Sequence, residues 1–155
     1  MRMLNEIAKK VADLLKIELP EIKVDLSGKY SCAEYMPGAD RIVIIRQEDT
    51  AEAFFELFHE MRHKWQWVNE FDKYFSEYQE LDDVELEMYG KQKAEIDANG
   101  FAVIMSANFL GLIPEFKEYP AQERRIIFDR ARELSVEYEN GIPWGNLYTR
   151  LGLEN

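Results

Sequence analysis

The chain has 155 residues, 46% of them hydrophobic and 32% charged, with a formal net charge of −11. That profile excludes a disordered or fibrous chain and suits one soluble globular domain. The acidic excess argues against nucleic acid as a partner, since neutralising phosphates takes clustered Lys and Arg, and leaves a protein or peptide as the expected one. A single cysteine, Cys32, excludes a disulfide framework and a CxxC metal knuckle, and is expected to be a small buried hydrophobe.

The opening segment, MRMLNEIAKKVADLLKIELP, is too interrupted by charge for a signal peptide or a membrane span. A cytoplasmic protein without membrane contact is therefore expected. Leu4, Ile7, Ala8, Val11, Leu14 and Leu15 recur at helical spacing, which predicts an amphipathic helix over 3–15, closed by Pro20. From Glu21 to Arg46 the pattern changes to short β-rich runs, EIKVDL, KYSCAEYM and RIVIIR, separated by the turn chemistries SG and PGAD. They predict three strands in a small, mostly antiparallel sheet.

The next run, DTAEAFFELFHEMRHKWQWV, predicts a helix to about Val68, with Asp49 as N-cap and Glu52 completing a capping box. On it Phe54, Phe58, Met61, Trp65 and Val68 form an apolar stripe, and His59 and His63 fall nearly opposite, facing water or a partner helix. NEFDKYFSEYQELDD lacks a clean period and reads as an irregular excursion or broken helix. A second long helix is expected from about Val84 to Leu110, ending at Gly111. A further helix, AQERRIIFDRARELSVEYENG, is expected to stop at Asn140 and Gly141. The tail from Ile142 reads as short and turn-prone. The expected fold is α+β in a single domain over 1–155: leading helix, small sheet, histidine helix packed on the second long helix, and a C-terminal helix.

Both histidines of the chain stand in FELFHEMRHKWQW, where His59, Glu60 and His63 spell HExxH. Histidines four apart on a helix lie one turn above each other and can hold one zinc ion between two imidazoles. Glu60 then stands beside the metal, placed to take a proton from a zinc-bound water. Both imidazoles must be neutral to bind metal, so affinity is expected to fall below about pH 6.5. A third ligand has two candidates in KAEIDANGFAVIMS. Glu95 shares a ridge of small residues with Ala98, Asn99, Ala102 and Ser106 that would admit a close neighbouring helix. Asp97 is its rival, shorter by one methylene and set on a bulkier face with Phe101 and Ile104.

HExxH followed one helix later by E-x-x-A-N-x-F-A, here Glu95, Ala98, Asn99, Phe101 and Ala102, resembles the gluzincin zinc peptidases and more closely the ImmA/IrrE-like group. The resemblance covers about residues 1–110. It implies a minimal zincin-like fold and a zinc metallopeptidase. It also implies His59, His63 and Glu95 as zinc ligands, Glu60 as general base, and Asn99 as a residue orienting a ligand imidazole. Its implied role is hydrolysis of a protein substrate such as a repressor of a mobile element or stress regulon. The strand RIVIIR could offer its edge to an extended substrate.

Arg62 departs from the family pattern, and a cation near zinc is acceptable only if it points outward, for example toward Glu56 or Glu70. With no third histidine, an oxyanion stabiliser must be Tyr, Arg, Asn or a backbone amide, and Tyr78, Tyr89 and Arg62 are the named candidates. Two other readings stand beside the peptidase: a metal-containing regulator that binds a protein without turning it over, and a helical interaction protein with no metal.

Overall fold

The computed structural model describes residues 2–154, and the chain divides into two compact units, Met1–Glu77 and Tyr78–Asn155. The first unit opens with helix α1, Arg2–Leu15, which buries Leu4, Ala8, Val11, Ala12 and Leu15. These positions follow one another by three, four or one, so they form a single stripe along a 3.6-residue helix. Leu14, expected in that stripe, is exposed. Lys16 adopts a left-handed backbone with φ 57° and stops the helix four residues before Pro20.

Strands β1 (Glu21–Val24), β2 (Glu34–Met36) and β3 (Arg41–Ile44) form one sheet in the order β1-β3-β2. The sheet is mixed and not mostly antiparallel, because β1 pairs with β3 in parallel and β2 with β3 antiparallel. The PGAD turn is tight enough to make β2 and β3 a hairpin, with Asp40 in a left-handed conformation. The longer excursion between β1 and β2 lets the chain return so that β3 lies alongside β1 in the same direction. Strand β3 is therefore central, and its Ile42, Val43 and Ile44 are fully buried, which accounts for an unbroken apolar run where an edge strand would alternate. Its edges are occupied on both sides, so the expectation that RIVIIR offers an edge to a substrate is corrected. Cys32 is exposed, contrary to expectation, since it precedes the short β2 and lies in the loop.

Helix α2, Ala51–Asn69, packs on α1, β2 and β3. Its N-cap is Thr50 and not Asp49: the Thr50 hydroxyl accepts from the Ala53 amide at 3.2 Å. Asp49 has a left-handed φ of 63° and belongs to the preceding turn. Burial runs without interruption from Leu57 through Lys64, so α2 has no solvent-exposed face there, whereas Val68 at the end of the expected stripe is exposed. A short helix α3, Phe71–Phe75, closes the unit.

The second unit begins with broken structure, a 3-10 turn over Leu81–Asp83 and a short helix α4, Leu86–Tyr89. The long helix α5 is Lys93–Leu110, shorter at its start than expected because the chain turns after Tyr89. It ends as expected at Gly111, whose left-handed φ of 65° returns its amide to the Ala107 carbonyl. Helix α6, Ala121–Leu134, packs against α5. The two helices come close at Gly100, where an added Cβ would meet the Ala131 backbone nitrogen at 3.0 Å.

Helix α6 stops six residues before the expected Asn140. Ser135 bonds back to the Ala131 carbonyl, and Asn140 caps the following turn through the Ser135 hydroxyl and the Tyr138 carbonyl. The tail, expected to be turn-prone, forms helix α7, Trp144–Leu151. Leu147 within it and Leu153 beyond it are buried, and burial of an apolar face is what makes so short a helix worthwhile. The fold is α+β, and among the described residues no helix is long and apolar enough to cross a membrane.

Candidate metal centre

Helix α2 brings His59, Glu60 and His63 together in the first unit, with one ligand atom from each within 4.8 Å of the others. The Nε2 atoms of His59 and His63 face each other at 3.1 Å, and the rings meet edge to face with centroids 4.7 Å apart. Two nitrogens each ~2.0–2.1 Å from one tetrahedral zinc would stand roughly 3.3 Å apart. The observed separation therefore suits a shared ion with little movement, and the His59, Glu60 and His63 group could hold a metal ion. A Glu60 carboxylate oxygen lies 3.8 Å from His59 Nε2. His59, Glu60 and His63 are 9%, 6% and 8% exposed. Phe55 and Phe75 flank the pair, their rings 6.1 Å from His59 and 6.2 Å from His63.

Several neighbours on the same helix were not foreseen as part of the site. Gln66, fully buried one turn after His63, places its Oε1 2.8 Å from His63 Nδ1. The signal was present as an i,i+3 spacing within the stretch that carries the motif. Lys64 is buried as well. Its Nζ donates to the Glu18 carbonyl at 2.7 Å and pairs with the Asp40 carboxylate at 2.8 Å, tying α2 to the segment before β1 and to the hairpin turn. Asp40 also accepts from the Tyr35 hydroxyl at 3.0 Å. Burial, and next this bond to Asp40, push the Tyr35 phenol above its ordinary pKa.

Arg62 corrects an expectation. It does not point outward but is 1% exposed, with its guanidinium 3.8 Å from the centre of the Trp65 ring. Stacking on an indole face suits a weakly hydrated planar cation. Glu56, suggested as its partner, accepts instead from the Ile45 amide at 3.1 Å and lies 3.6 Å from Arg46. Burial raises the Glu56 carboxyl above its usual range, against the lowering effect of that amide and of Arg46.

In the second unit Glu95 is 5% exposed on the first turn of α5. The Tyr78 hydroxyl donates to Glu95 Oε2 at 2.7 Å and lies 2.7 Å from the Tyr89 hydroxyl. A carboxylate only accepts, so the bonds run from Tyr89 to Tyr78 to Glu95. Burial and then the Glu95 charge hold the Tyr78 phenol far above its ordinary value. Tyr78 and Tyr89, named above for an oxyanion, are thus engaged with this carboxylate. Asn99 is 4% exposed on the same helix, and burial raises the nearby Tyr119 phenol above its ordinary pKa. Asp97, the rival ligand, is committed elsewhere: Arg130 of α6 donates to its Oδ1 through Nε at 2.9 Å and Nη2 at 2.7 Å. Comparison with protein families, with curated proteins and with solved structures finds no match.

Proposed function

We propose that this chain is a zinc metallopeptidase of the kind its motifs resemble, the ImmA/IrrE-like gluzincins. The reading is carried by one observation, the two Nε2 atoms facing each other at 3.1 Å with Glu60 alongside. His59 and His63 would hold the metal, and Glu95 is the proposed third ligand: among the two carboxylates considered on α5, Asp97 is bound by Arg130. When bound, zinc supplies a Lewis acid for the scissile carbonyl and an acidified water. Glu60 takes the proton in hydrolysis and returns it to the leaving amine. The proposed substrate is a protein or peptide, with a repressor as the biological target the resemblance suggests. With β3 central, the outer strands of the sheet are β1 and β2.

Near-complete burial of all three motif residues favours a second reading, a metal-containing regulator that binds its partner without cleaving it. Stoichiometric zinc uptake by metal-free protein, lost in His63→Ala, is the result expected under both readings. Cleavage of a peptide library by the zinc-loaded chain, abolished in Glu60→Gln while zinc is retained, selects the peptidase. Zinc uptake without cleavage selects the regulator, and absence of zinc uptake overturns both.

A further inference from the structure

We propose that Gln66 is a positioning residue that holds His63 with its proton on Nδ1, leaving Nε2 as the ligand atom. The inference rests on the metal-site reading above and adds to it a residue outside the motif. Gln66 is fully buried, and a buried side-chain amide must be satisfied by neighbouring polar groups. The atom it presents to His63 Nδ1 at 2.8 Å is its carbonyl oxygen. A carbonyl oxygen only accepts, so Nδ1 carries the hydrogen and Nε2 carries the lone pair. Were the amide reversed, its NH₂ would donate to Nδ1 and drive the hydrogen onto Nε2, where it would block a metal.

The consequence for His59 follows from the 3.1 Å contact between the two Nε2 atoms. His63 Nε2 has no hydrogen, so in the metal-free chain His59 Nε2 donates to it. Metal uptake then requires His59 Nε2 to release its hydrogen to solvent while Nδ1 takes one up, with no net change in protons. The two ligands are unequal: His63 is set in advance by Gln66, and His59 changes tautomer on binding. Ordering one ligand before the metal arrives is the ordinary work of a group that bonds the far nitrogen of a ligand imidazole.

The test is nitrogen-detected NMR of the histidines in metal-free protein at about pH 8, above the imidazole range, joined to zinc titration. The expected spectrum shows His63 protonated on Nδ1 and His59 on Nε2; zinc shifts the Nε2 resonance of both rings but moves the hydrogen only in His59, from Nε2 to Nδ1. Gln66→Leu is expected to lose the fixed His63 tautomer and to weaken zinc binding by about 10–100-fold. Gln66→Glu, which keeps an acceptor, restores both. A wild-type spectrum with His63 protonated on Nε2 overturns the proposal, as does unchanged zinc affinity in Gln66→Leu. The wild-type spectrum needs no variant and no metal, so it decides the role of Gln66 even if the leucine variant fails to fold. Failure of the wild type to take up zinc would instead overturn the metal-site reading.

Discussion

Helices α2 and α5 resemble each other in what they bury and differ in how they satisfy it. Each is long, each is buried over much of its length, and each carries ionisable side chains that rarely go inside unpaired. On α2 many of the ties are local. His59 meets His63 four residues on, His63 meets Gln66 three residues on, and Arg62 stacks on Trp65. On α5 the partners come from elsewhere in the chain: Asp97 is held by Arg130 and Glu95 by Tyr78. The lesson is that a helix can build a polar site from its own spacing, but a site built from one side chain per element depends on the tertiary fold.

Breaking a distant tie should cost most. Arg130→Ala leaves Asp97 buried without its cation, and removing one partner of a buried pair costs about 3–5 kcal/mol. The lower end is expected, because the Arg130 side chain is 26% exposed. Urea unfolding measures the loss, and a stability within error of wild type would show that α5 is not held through this pair.

Next comes Tyr78→Phe, which removes a hydrogen bond to a buried carboxylate, worth about 1.5–3 kcal/mol. Its sign with pH can be worked out. The folded phenol titrates above its ordinary value of 10.0. Its contribution is therefore fully present below about pH 10 and is lost as pH rises from there through the folded value. The gap between wild type and Tyr78→Phe should close above pH 10, and a constant gap would count against the bond to Glu95.

The smallest effect belongs to a local tie. Thr50→Ala removes the cap of α2 and should cost about 1 kcal/mol, whereas Asp49→Ala should leave capping intact. Thermal unfolding of the two variants side by side checks which residue starts the helix.

Much of the candidate site could be read because a helix converts sequence spacing into spatial proximity. HExxH on a helical pattern was enough to expect two facing imidazoles with a carboxylate beside them, and that is the arrangement found. The same logic would have reached Gln66, since three residues past His63 is one turn. Arg62 could not be read this way. Helical angles gave it an outward path, and it is the burial of the whole circumference of α2 that turned it inward onto Trp65.

Strand and helix types were legible where their patterns were long: α1, the buried run of β3, and the stop of α5 at Gly111 with its left-handed backbone. The direction of β1 against β3 was not, because alternation within a strand carries no information about its neighbour. Nor was α7, whose short segment gains helical order from burying Leu147. By itself the sequence determined which side chains share a turn of helix, since that depends only on covalent spacing. The tertiary structure alone decided strand order and the pairing of Asp97 with Arg130, because those contacts join residues that no local periodicity relates, and it decided the burial of Arg62, because burial depends on what surrounds the helix.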